Sequence, residues 1–253
     1  MNDGDTGEKR VAGMRRSCAW ATVICLAIVL GLVGAGFLML RRMQGLARCA
    51  SCQNDVVVLC YALRQYAVDH DGLVPPISRT RGNLMMDAEG FYPEYLENTC
   101  WVQCEYSPTR RRPGTSKNTD LGPSAFNDDS FCYLPWEIRT EEEGLAFIEA
   151  YKTLDLSKRD EDLVVEIDGE RRVLPRTRIT PEAFRGGGEP DPFEMPVFVE
   201  WPDHAHRYAT VAFVNGISQS KFIGDEFPTS ERFWAGLREI ASMDKPIPEW
   251  ERW

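Results

Sequence analysis

Histidine is scarce in this chain: three in 253 residues, at His70, His204 and His206. There is no Ser-His-Asp order, no G-x-S-x-G, no P-loop and no G-x-G-x-x-G. Gly186-Gly187-Gly188 lacks the Lys and the helix start that a phosphate cradle needs, and Ser218-Gln219-Ser220 reads as strand, not as a nucleophile elbow. No EF-hand spacing and no internal repeat occur. Positive charge is outnumbered through most of the chain. Residues 1–42 carry six Lys/Arg and three Asp/Glu, while the remainder has 23 basic and 36 acidic residues, a net of −13. So acidic a domain offers no footprint for nucleic acid or for an anionic membrane surface. The triplet Arg110-Arg111-Arg112 is too short to change that and reads as a solvated loop.

Charge is also absent from Ser17 to Leu40 (SCAWATVICLAIVLGLVGAGFLML), a run of 24 residues. As a helix it covers about 36 Å, enough to cross the hydrocarbon core with some tilt. Arg15-Arg16 precede it and Arg41-Arg42 follow it. Lys9 and Arg10 tip the balance toward a cytoplasmic N-terminus. The run is long for a signal peptide and no A-x-A site follows it. The expected organisation is a basic cytoplasmic leader (1–16), a transmembrane helix (17–40) and an extracytoplasmic α+β domain (41–253). Gly31, Gly34 and Gly36 read as ordinary membrane glycines, and the membrane bilayer is the first expected partner.

From Cys52 the apolar positions Val56, Leu59, Leu63 and Tyr66 recur at spacings of three and four, which predicts a helix with one buried face. Val57, Cys60 and Ala67 widen that face; Asn54, Asp55, Arg64, Gln65 and Asp69 form the wet side. Gly72 is the expected C′ residue and Pro75-Pro76 forbid continuation. Asp69 and Asp71 thus read as helix end and turn, not as an acid/base pair. A membrane helix, with a break at Gly45, leads into this segment.

Cys52, Asn54, Ala62-Leu63, Tyr66-Ala67, Asp69, Asp71-Gly72 and Pro75 follow the register C-x-N…A-L-x-x-Y-A-x-D-x-D-G-x-x-P. That segment resembles the type IV pilin-like proteins, most closely the bacterial type II secretion pseudopilin-like group. FYPEYLENTCWVQC (Phe91 to Cys104) is similar to the family's YP-x-YL stretch. HAHRYATVAFVNGISQSKFIGDEFP (His204 to Pro228) is similar to its H…DG…FP hairpin, with Asn215-Gly216 in place of Asp-Gly. The resemblance implies a long membrane-spanning N-terminal helix that continues into a helix packed on an antiparallel sheet. It implies a non-catalytic, membrane-anchored structural or accessory component of a secretion or pilus-like assembly. Its partners would be other pilin-like subunits or secretion-system membrane proteins. Its place would be the bacterial inner membrane, single-pass, with a periplasmic domain. The alternative is a tethered ligand- or metal-binding domain, or an enzymatic one, on the same scaffold. The family's cleavage motif, Gly-Phe-Thr-Leu-x-Glu, is replaced here by Arg16-Ser17-Cys18-Ala19-Trp20-Ala21, so the leader is expected to stay attached.

Two hairpins are legible without any family: Leu163 to Leu174 around Asp-Gly, and Tyr208 to Ile223 around Asn-Gly, each read as a two-residue turn. Phe131–Ile138 and Phe198–Trp201 are further strands. Thr140 and Glu143 form a capping box opening a helix through Leu145, Ile148 and Tyr151. Thr229 or Ser230 caps a last helix with Phe233, Leu237 and Ile240 on its apolar face. Arg185 to Pro192 (RGGGEPDP) is a loop.

Of eight cysteines, Cys18 and Cys25 fall in the apolar run as packing residues. Cys49, Cys52, Cys60, Cys100, Cys104 and Cys132 lie outside it, an even number in a compartment that permits disulfides. Structural disulfides are the expectation, with one of Cys49, Cys52 or Cys60 tied to the Cys100–Cys104 loop and the pairing left open. A four-thiolate zinc site from Cys49, Cys52, Cys100 and Cys104 is weighed against this. The 47 residues between the pairs are far more than ribbon-like sites use. His204 and His206 read as surface residues. Asn127-Asp128-Asp129 and Asp225-Glu226 are carboxylate-rich loops where calcium, which some pseudopilins bind, is weighed against solvated turns; with no EF-hand spacing, solvated turns are the reading. No catalytic residue, metal or cofactor is expected.

Overall fold

The computed structural model describes residues 5–104, 121–180, 194–201, 208–224 and 226–241, except the side chains of 5–25, 41, 42, 44–46, 48 and 49. Two compact units divide the chain, Met1–Leu46 and Ala47–Trp253.

Helix α1 spans Asp5–Asp69 and is continuous through Gly45, where a break was expected. In its first unit, the large apolar side chains from Leu26 to Leu40 are all exposed, each by at least 54 %. Among the described residues no helix is long and apolar enough to cross a membrane. The expected span starts at Ser17, and the side chains of residues 17–25 lie outside those described.

In the second unit, α1 buries Cys52, Val56, Leu59, Cys60, Leu63 and Ala67, while Val57 and Tyr66 of the expected face are only half-buried. Asp55 does not belong to the wet side; it is buried beside that face. The helix ends one residue earlier in its motif than expected. Asp71 (φ 53°) holds the left-handed C′ position, and Gly72 (φ 83°) follows at C″, its N–H donating to the Ala67 carbonyl at 2.8 Å. The Ala67 carbonyl, near the helix end, accepts this 6→1 bond together with a longer one from His70 N–H at 3.2 Å.

The chain then builds a four-stranded antiparallel sheet of order β1-β4-β5-β6. Its strands are β1 (Phe131–Tyr133), β4 (Pro196–Glu200), β5 (Tyr208–Phe213) and β6 (Ser218–Phe222). β1 is shorter than the expected Phe131–Ile138; beyond it Trp136 keeps one bridge, to Arg176. Alternation along the strands sends Phe131, Tyr133 and Ala212 to the α1 face. Cys132, Val199, Ala209, Val211 and Phe213 go to the opposite face. The register shifts between Pro196 and Phe198, and this bulge lets Val197 and Phe198 both reach the α1 core.

The opposite face is covered by α2 (Glu141–Thr153) and α3 (Glu231–Ile240). The Thr140/Glu143 capping box starts α2, and Ser230, not Thr229, caps α3. The separate hairpin β2 (Leu163–Ile167) and β3 (Glu170–Leu174) packs against α2, with Asp168 (φ 54°) and Gly169 (φ 77°) in its two-residue turn. The β5–β6 connection is different. Phe213 donates to Ile217 O and accepts from Gly216 N, so the loop is Val214-Asn215-Gly216, with the positive φ (81°) only at Gly216. Three-residue loops place their left-handed glycine this way. Unit two is thus α+β: helices on both faces of a four-stranded antiparallel sheet.

Candidate functional site

The first turns of the buried α1 face carry Cys52 to the sheet. Opposite it, the Asn98 side chain accepts from Cys100 N and starts a 3-10 turn, Thr99–Val102. The chain leaves that turn toward Cys104, whose N–H donates to Ser130 Oγ at 2.9 Å. Cys52 and Cys104 form a disulfide with Cα atoms 5.8 Å apart. The bond ties α1 to the loop before β1, which fits the expected helix-to-loop link and fixes a pairing that spacing left open.

A carboxylate joins them. Glu200 ends β4 opposite Phe131 and is fully buried on the α1 side. Its Oε2 accepts the Thr210 N–H at 2.9 Å. Sγ of Cys52, Sγ of Cys104 and a carboxylate oxygen of Glu200 all lie within 4.8 Å of one another. Ser130 sets this spacing from both sides: its hydroxyl holds Cys104, and its carbonyl accepts from Trp201 N, next to Glu200.

No protein-family model, curated protein or solved structure matches this chain.

The remaining cysteines scatter. Cys60 is buried in the α1 core, where desolvation pushes its thiol up to about 12. Cys132 is buried in the opposite core and Cys100 is half-buried. The side chain of Cys49 lies outside the described residues. His70 is exposed, stacks on Tyr66 with ring centroids 3.7 Å apart, and its Nδ1 bonds the Tyr66 carbonyl at 2.8 Å. Asp69 accepts from Tyr95 Oη at 3.1 Å; partial burial first, and then this bond, push the phenol up to about 12. Asp69 and Asp71 therefore act at the helix end and turn, as expected. His204, His206, Arg110–Arg112, Gly186–Gly188 and Asp225 lie outside the described residues. Asp128 is not a solvated turn residue: it is buried, and its carbonyl accepts from Trp201 Nε1.

Two buried charged residues, Glu200 in the site and Arg176 elsewhere in the domain, are missing from the sequence reading. Glu200 interrupts an apolar strand, PVFVE, and strand alternation from Phe198 already places it on the α1 face. Arg176 gave no such signal. Its guanidinium is buried and donates to the carbonyls of Val74 (2.6 Å), Arg159 (3.2 Å) and Pro135 (3.3 Å), clamping three distant segments. An open cleft of 430 Å³ lies between α2 and the β2–β3 hairpin, lined by Ala146, Glu149, Ala150, Val164, Val165, Glu166, Gly169 and Arg171. It holds neither histidine nor cysteine.

Proposed function

We propose that this chain is a non-catalytic, membrane-anchored, pseudopilin-like component of a secretion or pilus-like assembly, with residues after 43 outside the cytoplasm. One observation carries the reading. A single helix, α1, holds an uncharged stretch with every large apolar side chain exposed (26–40) and, further on, a buried face (52–67) against an antiparallel sheet. Exposed apolar surface on this scale marks a membrane or a protein interface. Covering each large side chain fully is worth about 1.5–3 kcal/mol. Neighbouring Ser17 to Ile24 adds further uncharged residues on the N-terminal side. The motif resemblance at Cys52–Pro75 and at the β5–β6 hairpin supplies the assembly class, and fold alone would not. The partners are other pilin-like subunits or secretion-system membrane proteins, in an inner membrane.

The test is crosslinking in intact cells, detergent extraction and mass spectrometry of what stays attached to the full chain. Recovery of pilin-like or secretion-system membrane subunits is the expected result. Recovery of the chain alone, after crosslinks placed along 26–40 reach only lipid, would remove the assembly role and leave a tethered domain.

The second reading, a tethered metal-binding domain, is favoured by the Cys52–Cys104–Glu200 cluster alone.

A further inference from the structure

Three elements bring sulfur and carboxylate ligands to one buried point: Cys52 from α1, Cys104 from the loop before β1, and Glu200 from β4. All three residues are completely buried and their ligand atoms lie within 4.8 Å of each other. A tetrahedral zinc ion with metal–sulfur bonds of about 2.3 Å and metal–oxygen bonds of about 2.1 Å spaces its ligand atoms about 3.5–3.8 Å apart. We propose that Cys52, Cys104 and Glu200 form a redox-gated site for a thiophilic divalent cation of the zinc type, open to the metal only when the two sulfurs are reduced.

The chemistry follows from what each state of sulfur offers. Disulfide sulfur carries no charge and binds such cations poorly; thiolate is the ligand. A dithiol reductant breaks the S–S bond, supplying two electrons and two protons and closing to its own disulfide. Cys52 and Cys104 are then thiols. Metal binding forms two metal–sulfur bonds and releases those two protons to solvent. Two thiolates and a carboxylate would place three negative charges in a buried space, and a divalent cation cancels two of them. A cation is therefore what makes the deprotonated cluster tolerable away from water. Ser130 and the Thr210 N–H are the outer partners that hold Cys104 and Glu200 at their spacing. Three protein ligands leave a fourth position for water or a small exogenous ligand. The site differs from the four-cysteine arrangement weighed from sequence: Glu200 enters, and Cys49 and Cys100 are not needed. It does not depend on the membrane reading.

The experiment uses the full chain in detergent, reduced under argon with a dithiol that is then removed by gel filtration. Co²⁺ is the probe. The expected result is one Co²⁺ per chain, with a sulfur-to-cobalt charge-transfer band and tetrahedral d–d bands, both displaced by Zn²⁺. The oxidised chain should show neither. C52S or C104S should abolish the charge-transfer band. E200Q should weaken binding by at least the ~10-fold that even outer partners of a metal carry. The pair C49S/C100S should leave binding unchanged. Glu200→Asp, which keeps the charge, is measured alongside, and should retain the sulfur band while shifting the d–d bands. Absence of the sulfur band in reduced protein overturns the proposal. So does equal binding by oxidised protein, dependence on Cys49 or Cys100, or an unchanged spectrum and affinity in both Glu200 variants.

Discussion

Arg176 and Cys60 show what a single buried group does here. Arg176 spends its guanidinium on the carbonyls of Val74, Pro135 and Arg159, and desolvation pulls its pKa below the ordinary arginine value. Arg176→Ala leaves the buried Val74 carbonyl and the half-buried Arg159 carbonyl to find new donors, while Pro135 O keeps the Thr177 N–H, and a loss of about 2 kcal/mol is expected in urea unfolding. An unchanged midpoint would mean water replaces the clamp. Cys60 makes a pH prediction. Its thiol keeps its proton to about 12 in the folded chain, against 9.0 when exposed. Between those values the unfolded state loses the proton first. Stability from this group is complete below about pH 9 and falls as pH rises through the window, by about 1.4 kcal/mol per unit. Cys60→Ala should flatten that part of the alkaline profile; identical slopes would contradict it. Neither Arg176 nor its partners could be joined from the sequence, because they sit in three segments that only folding brings together. Glu200 is legible in principle, as an acid within an apolar strand, and Cys52 and Cys104 as candidates for a helix-to-loop link, but that the strand brings the carboxylate to the two sulfurs is not.

Elements were more readable where local chemistry dictates them. The Thr140/Glu143 capping box and the Asp168-Gly169 turn act over a few residues, and both are as expected. The Asn215-Gly216 loop was misjudged because one glycine in the left-handed region serves a three-residue loop as well as a two-residue one. The bulge at Val197–Phe198 breaks the alternation on which strand reading depends. The α2–α3 contact was invisible, since it rests on two glycines. A Cβ on Gly144 would lie 2.8 Å from Phe227 and 2.9 Å from Phe233, and one on Gly236 would collide with Ile148. Gly144→Ala should therefore destabilise by about 1–3 kcal/mol in spite of alanine's better helix propensity. Stabilisation would show that the phenylalanine rings yield freely. The Cys52–Cys104 link closes a loop with a sequence separation of 52. Its loss in a double Cys→Ala variant should cost about 4 kcal/mol in the chain-entropy picture. Non-reducing peptide mapping should recover Cys52 joined to Cys104, and any other partner for Cys104 would contradict the tether.

At the scale of the whole molecule, the proposed orientation rests on the basic residues that flank the uncharged stretch. Lys9, Arg10, Arg15 and Arg16 precede that stretch, and Arg41 and Arg42 follow it, so the N-terminal flank carries the larger basic count. Basic residues beside a span favour the cytoplasmic side. The α+β class with a helix on the sheet was readable from hydrophobic periodicity and turn residues. The second helical layer's place, on the face opposite α1, depended on contacts too far apart in sequence to infer. The central claim is orientation, and protease digestion of spheroplasts expressing the full chain, tagged at each end, tests it most directly. Protease added outside should digest residues beyond 43 and leave the first sixteen protected. A protected large domain, or a chain that washes off the membrane, would contradict the account.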